Sequence, residues 1–180
     1  AEIWIVDLLS GGTKNQFTKN SGSVSDDYPR WTTNGMRILF ESNRDQFSGQ
    51  PDSSGGNFYV KDVSGAGNES PLFQSSQIKF PSDWSQDERF ILYYNGSSPD
   101  SSLWLLPLFG DRKPSVFLES AMDGRFSPNE VWVAYVAKGE VYVRMFPLSE
   151  NKWSISTRGG GQPLWRKDGN ELFYVEPSGR

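Results

Sequence analysis

The chain of 180 residues contains neither cysteine nor histidine. That removes thiol nucleophiles, Ser-His and Cys-His pairs, and the usual ligands of zinc, copper and haem. A lack of cysteine leaves the redox compartment open, because it suits the periplasm as well as the cytosol. Positive charge is scarce as well. Eighteen Lys and Arg stand against 22 Asp and Glu, a net charge of −4, and no basic run occurs. Binding nucleic acid through phosphate neutralisation is therefore not expected. No apolar stretch approaches the roughly 18 residues of a membrane span, and no signal-peptide pattern is present. This segment is predicted to make no membrane contact. A nucleophile elbow of the Gly-x-Ser-x-Gly type is missing, and Gly65-Ala66-Gly67 lacks the strand-to-helix setting of a nucleotide fingerprint. No catalytic residue, metal or cofactor is predicted.

Aromatic residues are plentiful instead: 7 Trp, 7 Tyr and 12 Phe, beside 18 Gly and 11 Pro. Aromatics favour pleated, half-buried surfaces, and Gly and Pro supply tight turns. The expected class is all-β. Four segments then repeat one pattern, in which an aromatic residue enters a turn and an apolar strand follows. They are Pro29-Arg30-Trp31-Thr32-Thr33-Asn34-Gly35, Pro81-Ser82-Asp83-Trp84-Ser85-Gln86-Asp87-Glu88, Gly124-Arg125-Phe126-Ser127-Pro128-Asn129-Glu130 and Pro163-Leu164-Trp165-Arg166-Lys167-Asp168-Gly169. The anchors Trp31, Trp84, Phe126 and Trp165 lie 53, 42 and 39 residues apart. A period of about 40–50 residues with several short strands per unit marks the blades of a β-propeller.

Each anchor is followed by a second strand, 37–40, 90–94, 131–136 or 172–175. A third strand recurs out of phase at 2–8, 57–63, 102–108 and 140–146. A short fourth is expected at Gln16-Phe17-Thr18, Pro71-Leu72-Phe73, 115–118 and Trp153-Ser154-Ile155-Ser156. The chain thus reads as a half-blade at 1–20, whole four-stranded antiparallel blades at about 27–75, 79–120 and 122–157, and a complementary half-blade at 162–180. The two halves either pair with each other or belong to a larger ring. Ala1 is not an initiator Met and opens inside a strand-like run, so the chain reads as an excerpt or a processed product. Asn34-Gly35 and Asp168-Gly169 suit turns that need positive φ. At Glu88 and Glu130, either the turn is built differently or a side chain bears a strain of about 1 kcal/mol. The anchor aromatics and the repeated Trp and Tyr residues are expected to be core. The polar connection from Ser42 to Gly56 reads as a surface loop, and Asn68-Glu69-Ser70 and Asn95-Gly96-Ser97 as exposed turns.

The repeats resemble the TolB-like, WD-repeat-like β-propeller family, whose blades carry Trp-Ser-Pro-Asp-Gly-Lys ahead of the second strand. Here the pattern stands as Trp84-Ser85-Gln86-Asp87-Glu88-Arg89 and Phe126-Ser127-Pro128-Asn129-Glu130. Phe40-Glu41-Ser42-Asn43-Arg44-Asp45 resembles the family's Phe-x-Ser-Asn-Arg-Asp-Gly, with Gln46 in place of Gly. Stretches 106–114, 124–128, 141–144 and 160–169 are similar to propellers that follow the kinase domain in bacterial transmembrane serine/threonine kinases. No His-Arg-Asp or Asp-Phe-Gly motif is present, so kinase activity is not assigned to this chain.

The resemblance implies a non-catalytic binding or sensing module outside the cytoplasm, either a bacterial receptor-kinase ectodomain or a TolB-like protein. The alternative it leaves is the substrate-gating propeller of a prolyl-oligopeptidase-type hydrolase. In a propeller the innermost strands line a channel. Residues beside the anchors there are the candidate contacts for a protein, peptide or small-molecule ligand: Arg30, Lys79, Asp83, Asp123, Arg125 and Gln162. Their other reading is mutual salt-bridging in water, worth little per pair. The terminal half-blades add the prospect of self-association. Glycoside hydrolysis by two carboxylates about 5–10 Å apart finds no support, because the repeats are unlike those of propeller glycosidases.

Overall fold

The computed structural model describes residues 1–45, 56–65, 67–96, 100–147 and 151–177. Among them are sixteen β-strands and no helix, so no helix there is long and apolar enough to cross a membrane. Most of the connection after Ser42, residues 46–55, lies outside the described residues. The chain divides into two compact units, Ala1–Pro81 and Ser82–Arg180.

In the first unit β1 (Trp4–Asp7) and β2 (Thr13–Gln16) form a two-stranded antiparallel sheet. β3 (Asp26–Trp31), β4 (Arg37–Ser42), β5 (Asn57–Asp62) and β6 (Ser70–Phe73) form a four-stranded meander. β2 begins three residues before the run Gln16-Phe17-Thr18 expected for it. Its pairing closes at Asp7↔Thr13, and Phe17 leaves the ladder to become core. Ile3, Phe17, Ile38, Phe40 and Tyr59 make up that core.

The division falls within β7 (Lys79–Trp84), which forms the second meander with β8 (Phe90–Asn95), β9 (Ser102–Pro107) and β10 (Ser115–Leu118). β11 (Ala121–Phe126), β12 (Trp132–Ala137), β13 (Glu140–Met145) and β14 (Lys152–Ser154) form the third. β15 (Gly161–Trp165) pairs with β16 (Leu172–Val175) in a sheet of two. Three meanders of four strands and two half-sheets are the blades of a β-propeller. Leu92, Leu103, Phe117, Ala121, Phe126, Val133 and Tyr135 form the core of the second unit.

Side chains close the turns that join the first two strands of each blade. Ser85 Oγ donates to Asp87 Oδ1 (2.7 Å), and the N–H groups of Arg89 and Phe90 return to Asp87 and Ser85 (both 2.9 Å). Thr32 with Asn34, and Ser127 with Asn129, repeat the arrangement. The hydroxyl and the carboxyl or amide together satisfy N–H groups that a tight turn leaves bare. Arg166 has no hydroxyl, so the fourth turn keeps only the backbone bond common to all four, Arg166 N–H to Glu171 O, and the Asn170 N–H bond to Asp168. Glu88 and Glu130 occupy the left-handed position, with φ of 57° and 58°, where Gly35 and Gly169 have 70° and 75°. The turns are thus built alike, and the two glutamates bear the strain.

Burial of the anchors is uneven. Trp84 and Phe126 are buried, Trp165 is half-buried, and Trp31 is 52% exposed. Trp4 and Trp153 are also exposed, against the expectation that the repeated aromatics are core. Two of the later anchor segments bond the first strand of the sheet before them: the Phe126 N–H donates to Asp83 Oδ2 (2.8 Å) and Trp165 Nε1 to Arg125 O (3.1 Å).

Candidate functional site

The first strand of a blade is the natural place to seek a site, and three of these strands share a distortion. Pairing shifts register between Asp27 and Arg30, between Met122 and Arg125, and between Gly161 and Leu164. At each bulge the residue three before the anchor is left-handed and is not glycine: Tyr28 (φ 55°), Asp123 (56°) and Gln162 (54°). The fourth equivalent is Pro81, whose ring excludes positive φ. A bulge re-aims a side chain out of the ladder. Holding a non-glycine residue left-handed costs about 1–2 kcal/mol, and such strain gathers where backbone geometry serves function.

In the second unit, Asp123 and Arg125 form an ion pair, Arg125 Nη2 to Asp123 Oδ1, at 3.1 Å. Arg125 Nη1 donates to Ser82 O and, at 3.1 Å, to Gly124 O. Asp83 Oδ2 accepts from the N–H of Phe126 at 2.8 Å. Asp83 and Arg125 therefore tie β7 to β11 in addition to lying beside the anchors. Gln162 is exposed and Asp123 half-buried. A hollow of about 390 Å³ adjoins this bulge through Met122 and is lined also by Asp100, Ser101, Ser120 and Lys138. Ser101 Oγ is buried there without a hydrogen-bond partner among the described residues. Sequence reasoning missed Asp100, Ser101, Ser120 and Lys138. They stand in connections between strands and carry no motif.

In the first unit, Arg30 is half-buried, and its Nη1 donates to Pro29 O at 3.0 Å. Tyr28 packs on Phe80 with ring centroids 5.0 Å apart. Lys79 departs from the expectation of a ligand contact at a channel mouth, because it is fully buried. Its ammonium donates to Asn57 Oδ1 (3.0 Å), Ser75 O (3.1 Å) and Gln77 O (3.3 Å). Burial drives the Lys79 pKa down to about 8, partly countered by the charge of Glu41. Glu41 is itself pushed above the usual carboxylate range, chiefly by burial.

The segment Phe40–Asp45 also gains a physical account. Arg44 Nη2 meets Asp26 Oδ1 at 3.0 Å, Nη1 meets Glu69 Oε2 at 3.4 Å, and the guanidinium lies 4.5 Å from the Tyr59 ring centroid. Asp45 accepts from Tyr59 OH, Gln74 and Asn57. This part of the resemblance holds one blade together.

The chain matches no family model and no curated protein sequence. Solved structures do match. TolB from Acinetobacter baumannii superposes with a TM-score of 0.71 at 16% identity, over 94% of this chain and 42% of that one. A putative TolB from Agrobacterium tumefaciens gives 0.69 at 20% identity, over 92% and 61%. A prolyl endopeptidase gives 0.53 at 15%, over 93% and 30%. The fold is thus that of a TolB-like β-propeller. The chain spans between about two fifths and three fifths of the length of the two TolB structures it matches.

Proposed function

We propose that this chain is a non-catalytic propeller segment that binds a protein, a peptide or a small molecule on the bulged inner strands of its blades. The left-handed bulge carries the reading. Tyr28, Asp123 and Gln162 hold a strained conformation at equivalent places inside strands, where glycine would be unstrained. In the second unit the contact surface comprises Asp123, Gln162 and the exposed part of Arg125, continued into the hollow where Ser101 Oγ offers a hydrogen bond. Arg30 holds the matching place in the first unit. Asp83 ties β7 to β11, and the buried Lys79 ammonium joins Asn57 to the 75–77 connection. The absence of His and Cys favours binding over chemistry. Likeness to TolB structures and to kinase-linked propellers favours an extracytoplasmic module of a bacterial receptor-type kinase or a TolB-like protein.

The test is a thermal-shift and NMR screen of the full chain against short peptides, saccharides and small acids. Binding should be lost in Ser101→Ala and Gln162→Ala, with the free proteins melting as wild type. A ligand mapped to β6, β10 or β14 would sink the site. Hydrolysis that disappears in Asp123→Asn would sink the non-catalytic reading.

One observation supports a second reading, the match to a prolyl endopeptidase at TM-score 0.53. In that case the chain gates the active site of a serine hydrolase. The surrounding reading frame separates the two. A kinase domain and one membrane helix upstream favour sensing, whereas an α/β-hydrolase domain favours gating.

A further inference from the structure

Successive sheets are joined in a repeated way, and one junction departs from the others. Ala1, Ser101 and Gly139 each stand three residues before a third-strand aromatic, Trp4, Trp104 or Tyr142. Their carbonyl oxygens accept from the N–H groups of Asp26 (3.1 Å), Ala121 (2.8 Å) and Gly160 (2.9 Å), each five residues before its anchor. Of the three acceptors only Ser101 carries a hydroxyl. Its side chain is buried, yet Ser101 Oγ has no hydrogen-bond partner among the described residues. Buried polar groups are normally paired, so the exception calls for a cause.

In the first whole blade, polar side chains fill the corresponding place. Asp26 faces Ser42 across the ladder. The Asp26 carboxylate accepts from Asn20 Nδ2 (2.9 Å) and Arg44 Nη2 (3.0 Å), and Arg44 Nε donates to Ser42 Oγ (2.8 Å). In the third whole blade the equivalent cross-strand pair is Ala121 and Ala137. Two methyl groups stand where the first blade has a carboxylate and a hydroxyl, and the hollow of about 390 Å³ opens beside them. That volume suits a small molecule rather than a folded partner. Ala121, Met122 and Ala137 give it an apolar wall, and Ser101 lies next to them. Asp100 and Lys138 also line it, and both are exposed. They do not pair with each other, and neither has an ion-pair partner among the described residues.

We propose that this hollow binds a small zwitterion with an apolar body, an apolar amino acid or a dipeptide of such residues. The inference rests on the binding reading above and names its ligand class. The ligand's apolar side chain lies against Ala121, Met122 and Ala137. Its carboxylate meets Lys138, its ammonium meets Asp100, and one of its polar atoms takes up the Ser101 hydroxyl. Opposite charges that do not meet favour a ligand that carries both. A simple anion would face Asp100 with like charge, and a simple cation would face Lys138 the same way, a juxtaposition that costs affinity. The apolar wall disfavours a body rich in hydroxyls, which would lose water without gaining partners.

NMR titration of the full chain tests this with leucine and leucyl-leucine, each free, N-acetylated or C-amidated. At least one free probe should saturate in the millimolar range or below and shift the amide signals of Ser101, Ala137 and Lys138. Which of the two binds more tightly tells an amino acid from a dipeptide. Blocking either terminus should weaken binding at least about threefold. Lys138→Gln should erase the advantage of the free probe over its amide, and Asp100→Asn its advantage over the acetylated form. Ser101→Ala should bind about tenfold more weakly while melting no lower than wild type, since no hydrogen bond is lost. The proposal is overturned if neither free probe saturates, if blocked probes bind equally well, or if Ser101→Ala binds as wild type. Shifts confined to Asp123 and Gln162 would also overturn it, while sparing the wider binding reading.

Discussion

The carboxylate of Asp83 accepts a 2.8 Å hydrogen bond from the backbone N–H of Phe126, 43 residues further along the chain. It joins the end of one blade's first strand to the corresponding place in the next. Asp83→Ala should cost about 1.5–3 kcal/mol, the worth of a hydrogen bond to a charged group. Asp83→Asn keeps an acceptor and should lose less than half of that. Urea unfolding followed by tryptophan fluorescence distinguishes them, and equal losses would refute the bond's role.

Two of the three tryptophan anchors, Trp84 and Trp31, should respond differently to truncation. Trp84 is 4% exposed and Trp31 is 52% exposed. Trp84→Ala should destabilise the fold by about 3–5 kcal/mol. Trp31→Ala should cost well under half as much, because half of its side chain is already in water. A similar loss at both positions would show that Trp31 is covered in solution.

Glu88 bears left-handed strain where two sister turns use glycine. Relief of about 1–2 kcal/mol, less the greater unfolded-state freedom of glycine, leaves Glu88→Gly more stable by about 0.5–1 kcal/mol. A raised urea midpoint with an unchanged slope is the expected result. The opposite sign is expected at Gly124, where a Cβ would come within 2.8 Å of Leu103 Cδ2 and 3.2 Å of Leu92 Cδ1. Gly124→Ala should unfold earlier.

The buried ammonium of Lys79 makes stability depend on pH. Its folded pKa, about 8, lies below the ordinary lysine value. Between the two values the unfolded chain binds more protons, so stability rises with pH across that window. From pH 7.5 to 9.5 the gain attributable to Lys79 should be about 2 kcal/mol. Lys79→Met, which keeps the stem near Phe58 and Phe73, should abolish the rise. Above about pH 10 the trend reverses. Tyr59 is pushed up to about 12, first by burial and then by Asp45, and burial raises Tyr93 as well. Their neutral forms favour the folded state. Urea midpoints across the pH series test both signs.

Much of this architecture is local in origin and legible in the residues. Aromatic and β-branched runs choose strand, Ser-x-Asp and Thr-x-Asn close turns through their own side chains, and a period near 40 residues repeats the unit. These forces act over a few neighbours, so composition and spacing determine them. The candidate site is different. Lys79 and Asp123 both stand ahead of anchors, yet one is fully buried and the other sits half-buried at a bulge, paired with Arg125. Asp83 finds its partner 43 residues away, and Ser101 becomes a buried hydroxyl in a hollow built from three separate segments. Burial, register shifts and left-handed strain depend on which strand happens to lie alongside. That is a property of packed sheets, and only the tertiary structure decides it.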